Sequence, residues 1–173
     1  MKKLLVIGDS LVEYYDWQAR FPDWRVDNYG RSGETVQELL ARSRSVIARV
    51  ADPDLVLVMS GINNVAMEDF GFLPAYGQVL DNFRAGFPKA RLVACSLLPV
   101  RLAWLAPTAL PRMNEGMKKV AEQAGAFFFD LYPAFLGADG LAERRFLLED
   151  GVHLSGAGYA RWAVLVEKLL FPA

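Results

Sequence analysis

Cysteine and histidine are almost missing from this sequence, which contains one of each, Cys95 and His153. A single cysteine cannot form a disulfide within the chain, and this predicts a reducing, cytoplasmic setting. One cysteine and one histidine are also too few ligands for a structural zinc site. We therefore expect a protein that works with no metal and no other cofactor.

Net charge and long apolar runs are missing as well. The 19 basic and 20 acidic side chains give a formal net charge of -1, which makes nucleic acid and anionic membranes poor candidates for a partner. The apolar run Leu4–Ile7 stops at Gly8-Asp9, too early for a signal peptide or a membrane span. A buried first strand explains this run better.

Apolar side chains are abundant. They make up 53% of the 173 residues, while charged side chains make up 23%. This composition is typical of a globular protein and argues against disorder. The length fits one domain, which we expect to span residues 1–173.

Short apolar runs alternate with longer stretches of helical periodicity. In one such stretch Val36, Leu39, Leu40, Ile47 and Val50 fall near one face of a helix. The predicted strands are 3–7, 25–29, 55–59, 91–97 and 126–131. The predicted helices are 34–50, 73–87, 113–124 and a last one that begins after Ser155 and runs to about Leu170. The proline-containing segment 98–111 is predicted to be a long loop.

This alternation predicts an α/β fold with a parallel sheet between two layers of helices. Right-handed crossovers favour a three-layer α/β/α sandwich with the flavodoxin-like strand order 2-1-3-4-5. In such a sheet, ligands bind beyond the carboxyl ends of the strands, near the point where the strand order reverses.

Polar turns stand at four places that this rule brings to one edge. They are Gly8-Asp9-Ser10-Leu11 after strand one, 28–33 after strand two, Gly61-Ile62-Asn63-Asn64 after strand three, and Asp150-Gly151-Val152-His153 before the last helix. We expect the functional site where these turns meet.

The residue types in these turns indicate nucleophilic catalysis. A serine hydroxyl needs a base within hydrogen-bond reach, and the pKa of histidine suits neutral pH. Because His153 is the only histidine, a Ser–His mechanism must use it. A carboxylate on the far ring nitrogen would fix the tautomer, and Asp150, three residues earlier, can supply it.

The four turns match, in order, the four blocks of the SGNH (GDSL-type) hydrolases, which this sequence resembles from Gly8 to His153. The resemblance implies that Ser10 is the nucleophile, His153 the base and Asp150 the residue that orients it. It also implies an oxyanion hole formed by the backbone N–H groups of Ser10 and Gly33 and the side-chain amide of Asn63.

One block departs from the commonest pattern of the family, because Asn64 stands where Gly-x-Asn-Asp has its aspartate. The branch similar to platelet-activating-factor acetylhydrolase carries Asn-Asn at this place. Leu97-Leu98-Pro99 and the segment 153–159 also resemble that branch. This resemblance favours a short acyl group such as acetyl and leaves the alcohol open.

Several residues near the motifs have a structural interpretation. Asp9 is expected to bond nearby backbone in its turn, and Cys95 is expected to be inert core. Gly156-Ala157-Gly158 is expected to begin a helix, since no strand precedes it. Asp130, at the end of the fifth strand, competes with Asp150 as the partner of His153, but the short spacing favours Asp150.

Substrate contacts are less defined. Tyr14, Val100 and Trp104 are the candidates, with Tyr14, Tyr15 and Trp17 as either a groove that stacks on a sugar or part of the core. The apolar segment 100–106 is either a pocket wall or lid, or packing over the sheet edge or at a dimer contact.

The sequence therefore predicts an esterase that acts on a small-molecule ester through an acyl-enzyme. A carbohydrate acetylesterase, a lysophospholipase and a thioesterase are alternatives within the same class. A non-catalytic α/β binding module is the alternative from another class, and it would not react with a fluorophosphonate.

Overall fold

The structure is a computed structural model that describes residues 1–171. A five-stranded parallel sheet runs through its centre in the order β2-β1-β3-β4-β5. The strands are β1 (Lys2–Gly8), β2 (Trp24–Gly30), β3 (Leu55–Met59), β4 (Arg91–Cys95) and β5 (Phe127–Phe129). The predicted fold class and strand order are confirmed. Residues 172–173 of the predicted domain lie outside the described residues.

Seven helices connect or follow the strands. They are α1 (Ser10–Glu13), α2 (Trp17–Arg20), α3 (Val36–Arg49), α4 (Ile62–Ala66), α5 (Leu73–Gly86), α6 (Ala109–Gln123) and α7 (Gly156–Leu170), with 3₁₀ turns at Tyr132–Phe135 and Arg144–Phe146. No helix within residues 1–171 is both long and apolar enough to cross a membrane.

After β2 the chain crosses back over β1 to form β3, so the connecting helices lie on two different faces of the sheet. Right-handed crossovers place α1 and α2, which lead to β2, on one face and α3, α5 and α6 on the other. Accordingly α3 packs against α5, and α5 against α6. The central strands β1 and β3 are buried over nearly their whole length, as expected for a sheet that is covered on both sides.

The aromatic residues that follow Ser10 pack mainly between α7 and the α1–α2 segment. Trp17 is fully buried, and its ring meets that of Trp162 edge-on at 4.8 Å. Its Nε1 donates a hydrogen bond to the Val12 carbonyl. Tyr15 stacks on Tyr159 at 4.9 Å. Trp17 is therefore part of the core, whereas Tyr15 is half-buried and packs against the core.

Some predicted element boundaries are wrong for local physical reasons. The loop predicted to span 98–111 ends at Thr108, and α6 begins at Ala109 rather than Met113. Pro111 lies in the first turn of α6, where backbone N–H groups have no partner within the helix, so proline costs little there. Helix α3 begins at Val36 because Thr35 caps it, and the predicted fifth strand shortens to Phe127–Phe129.

Candidate active site

The first turn of the site places Ser10 at the start of α1, directly after β1. Asp9 caps this helix, because its Oδ1 accepts a hydrogen bond from the Leu11 N–H at 3.0 Å. Asp9 therefore bonds nearby backbone, as the sequence indicated. Gly8 leaves room for the sharp exit from the strand, since a Cβ there would lie 1.7 Å from the carbonyl oxygen of Met59.

Ser10, His153 and Asp150 form a continuous hydrogen-bonded chain. Ser10 Oγ lies 3.0 Å from His153 Nε2, and His153 Nδ1 lies 2.6 Å from Asp150 Oδ2. The carboxylate holds the ring proton on Nδ1, which leaves Nε2 as an acceptor for the serine proton. The structure thus brings together three side chains that lie up to 143 residues apart in the sequence.

The turn 150–153 is closed by Asp150 itself. Its Oδ1 accepts hydrogen bonds from the backbone N–H groups of Val152 and His153, both at 2.9 Å. Burial of the Asp150 carboxyl raises its pKa, but hydrogen bonds from Val152 and His153 outweigh this and hold the pKa below its usual value. Asp150 is therefore an anion at neutral pH.

Asp130 has a different partner. Its Oδ1 accepts a hydrogen bond from the Tyr132 N–H at 3.2 Å, within the turn after β5. The carboxylate in contact with the histidine ring is that of Asp150.

Two candidate oxyanion donors lie on facing turns that are tied together. Gly33 adopts a positive φ of 74°, and a Cβ at this position would meet open space, so its Cα is open to solvent. Asn63 Nδ2 donates one hydrogen bond to the Glu34 carbonyl at 2.9 Å. Because an amide nitrogen carries two hydrogens, one remains for a substrate oxygen.

The loop that carries Gly33 is braced on both sides. Ser32 N–H donates to Glu13 Oε2 at 2.7 Å. On the other side the buried Glu34 carboxylate pairs with Arg42, which also donates to the Tyr29 carbonyl. The sequence predicts Glu34 inside the helix 34–50 and does not indicate this buried ion pair, because a lone Glu and a lone Arg carry no signal of pairing.

The three candidate substrate contacts have different positions. Tyr14 is 58% exposed, and its ring lies 5.7 Å from that of His153, with its hydroxyl 2.7 Å from Ser32 Oγ. Val100 is half-buried and lines a cavity of about 460 Å³. Trp104 is exposed and is not among the residues that line this cavity. Tyr14 is therefore the one that borders the Ser–His pair directly.

The cavity lies beside the turn 150–153, and Ser10 is not among the residues that line it. Most of its lining comes from the segment 99–107, and the rest from Leu110, Tyr132, residues 140–142 and Arg144. Arg101 N–H donates to the Gly151 carbonyl at 2.8 Å, which anchors that segment to the turn. The segment is thus a cavity wall attached to the Asp–His turn.

Comparisons with known proteins agree with this fold. The model of the GDSL-like lipase/acylhydrolase family matches residues 6–161. No curated protein matches the sequence.

Among solved structures, one from Streptococcus pneumonia, provisionally described as a platelet activating factor, gives a TM-score of 0.87 at 21% identity and covers 98% of this chain and 84% of that chain. A GDSL-like lipase from Bacteroides thetaiotaomicron gives a TM-score of 0.71 at 22% identity and covers 98% of this chain and 87% of that chain. A variant of an acetyl xylan esterase from Geobacillus stearothermophilus gives a TM-score of 0.74 at 26% identity and covers 96% of this chain and 93% of that chain.

Proposed function

This chain belongs to the GDSL-like lipase/acylhydrolase family and is a carboxylic ester hydrolase; from this premise we propose that it cleaves its substrate through an acyl-enzyme on Ser10. The observation that carries the proposal is the chain of contacts from Ser10 Oγ through His153 to Asp150, at 3.0 and 2.6 Å. A nucleophile, its base and the group that orients the base are thereby within reach of one another.

In the first half-reaction Ser10 Oγ attacks the ester carbonyl while its proton passes to His153 Nε2. The backbone N–H groups of Ser10 and Gly33 and the side chain of Asn63 donate to the oxyanion that forms. Such donors are worth roughly 100- to 1000-fold in rate each. Collapse of the intermediate breaks the bond to the alcohol oxygen, which takes the proton from His153.

In the second half-reaction water replaces the alcohol. His153 accepts a proton from the water as it attacks the acyl-enzyme, and then returns that proton to Ser10 Oγ. The acid is released and the serine is regenerated. Asp150 stays ionised throughout and stabilises the imidazolium that forms in each half.

The direct test is turnover of p-nitrophenyl acetate by Ser10→Ala. We expect this variant to fold normally, by circular dichroism and thermal unfolding, and to lose nearly all activity because the base has no nucleophile to activate. Ser45→Ala, on the exposed side of α3, is the matched control and is expected to keep wild-type kcat. Full activity in folded Ser10→Ala would remove the nucleophile assignment.

We propose that the substrate is an ester with a short acyl group, such as acetyl. The motifs similar to the platelet-activating-factor acetylhydrolase branch support it, and so does the 26% identical acetyl xylan esterase. Chain-length profiling on nitrophenyl esters separates this proposal from a lysophospholipase, and acyl-CoA substrates separate it from a thioesterase. A preference for long acyl chains would contradict it.

An acetylated carbohydrate is a specific candidate for the whole substrate. The exposed Tyr14 ring beside His153 offers a flat apolar surface of the kind that packs against sugar rings. Deacetylation of acetylated xylooligosaccharides, compared with p-nitrophenyl acetate, tests this candidate. A kcat/KM on the saccharide no higher than on the simple ester would contradict it.

A further inference from the structure

Asn64 is the position at which this chain departs from the commonest motif of its family, and the structure shows what surrounds it. Its side chain is 1% exposed, although it directly follows Asn63 in the short helix α4. A buried side-chain amide is costly unless its donors and acceptor find partners.

All the hydrogen-bonding groups of the Asn64 amide are used. Its Oδ1 accepts from the Val36 N–H at 2.9 Å, and its Nδ2 donates to Gln37 Oε1 at 2.7 Å and to Asp69 Oδ2 at 2.8 Å. Gln37 Nε2 donates to the same Asp69 oxygen at 3.0 Å. Since the Val36 N–H can only donate and an ionised Asp69 can only accept, these end groups fix the direction of every bond.

This network lies directly behind the oxyanion donors. Val36 is the first residue of α3, three residues after Gly33, and its N–H is held by Asn64. The neighbouring Asn63 holds the Glu34 carbonyl in the same segment. Two adjacent asparagines of α4 thus clamp the segment 33–36 at two points.

We propose that Asn64 and Asp69 are positioning residues that set the spacing of the two oxyanion donors, Gly33 N–H and Asn63 Nδ2. In the Gly-x-Asn-Asp pattern the carboxylate stands at the position of Asn64. In this chain Asp69 supplies a carboxylate instead, as the hydrogen-bond partner of Asn64. This inference rests on the proposed function, because it concerns the same site.

The electrostatics of Asp69 agree with this assignment. The hydrogen bond from Asn64 is the largest influence on its carboxyl and lowers its pKa, and bonds from the Gly71 N–H and the Gln37 side chain act in the same direction. Asp69 is therefore the anionic end of the network at neutral pH, and Asn64 is its donor.

The family's own aspartate is incompatible with this arrangement. Asn64→Asp places two carboxylates at a contact that is now 2.8 Å, where like charges must share a proton or move apart. Asp69→Asn has one acceptor oxygen for two donors, Asn64 Nδ2 and the Gly71 N–H, which now bond different oxygens of Asp69. One of these donors must then face an amide nitrogen, and Asn64 cannot turn its amide without losing the Val36 N–H. The double variant Asn64→Asp with Asp69→Asn reverses the polarity: the new amide at position 69 donates, the new carboxylate at position 64 accepts, and the Gln37 amide rotates.

The test measures kcat and KM on p-nitrophenyl acetate for the wild type, both single variants and the double variant. We expect each single variant to lower kcat about tenfold with a smaller change in KM, and the double variant to recover most of the loss. Asp81→Asn, an exposed carboxyl on α5, is the control and should match the wild type. A double variant as slow as the product of the two singles would overturn the proposal.

Folding and function are separated by two further readings. If Asn64→Asp does not fold, Asp69→Asn still reports the split between kcat and KM, because Asp69 is only half-buried; an unchanged kcat in it would overturn the positioning role. Wild-type turnover that survives Ser10→Ala would remove the proposed function itself. If turnover needs Ser10 but the wild type, both single variants and the double variant have the same kcat, only the positioning role would be removed.

Discussion

Two carboxyl groups near the nucleophile have opposite environments. Asp150 is half exposed and receives hydrogen bonds from Val152 and His153 that hold its pKa below the usual value. Asp9 is fully buried, and its Oδ2 has no hydrogen-bond partner within residues 1–171. Loss of hydration raises the pKa of Asp9 from 3.8 to about 7, against the hydrogen bond from Leu11 that lowers it.

Burial of Asp9 predicts a stability that falls as the pH rises. Between pH 3.8 and about 7 the folded chain keeps a proton on Asp9 that the unfolded chain has released, so raising the pH favours unfolding. We expect the free energy of unfolding of the wild type to fall, relative to Asp9→Asn, by a few kcal/mol across this window. Urea unfolding at a series of pH values measures the difference.

Asparagine is a suitable replacement because its Oδ1 can still accept from the Leu11 N–H, while its amide does not titrate. Asp16→Asn is the matched control, since Asp16 caps α2 in the same way at an exposed position. Parallel pH curves for the wild type and Asp9→Asn would show that Asp9 is ionised in the folded chain and would contradict this account.

Between elements, the turn 150–153 depends on one glycine for two separate reasons. Gly151 has a positive φ of 72°, which strains any residue that carries a Cβ. A Cβ there would also lie 2.6 Å from the backbone oxygen of Arg101, so the segment 99–107 would have to move. The same turn holds Asp150 against His153, so a shift here reaches the base.

Gly151→Ala should therefore reduce kcat by at least about tenfold, because Asp150 and His153 no longer meet at hydrogen-bond distance. Gly140→Ala is a control for strain alone, since Gly140 has a φ of 74° and a Cβ there would contact nothing within 4 Å. It should lose about 1–2 kcal/mol of stability and keep its activity. Equal kcat values for the two variants would show that the contact with Arg101 does not matter to the turn.

The elements could be predicted from the sequence to different degrees. Strand β3 was predicted to the residue, because a short apolar run between Pro53 and Gly61 has few other interpretations. The start of α6 was missed because Pro111 suggested a loop, although proline is tolerated in the first turn of a helix. Helix α4 was missed because it has only five residues and directly follows a glycine, Gly61.

In the whole molecule, the order of the strands explains why the turns meet. Strand β1 lies between β2 and β3, so the turns that follow these three strands share one edge. The turn 150–153, which precedes α7, reaches the same edge, because His153 contacts Ser10 there. Strand alternation and crossover handedness make this arrangement predictable from the sequence.

Contacts between side chains were less predictable than the fold. The network of Asn64, Gln37 and Asp69 joins α4, α3 and the loop after α4, so it forms only once these segments have packed together. The sequence marked only Asn64, as a departure from a motif, and gave no indication of its partners. The same holds for Tyr14, whose ring lies beside that of His153, a residue far from it in the sequence.

The most direct test of the central claim, that Ser10 is a nucleophile activated by His153, is covalent labelling with a fluorophosphonate followed by peptide mass spectrometry. We predict a single adduct on Ser10 in the wild type, none in folded Ser10→Ala, and greatly slowed labelling in His153→Ala. An unlabelled wild-type chain, or an adduct on any other residue, would contradict the claim.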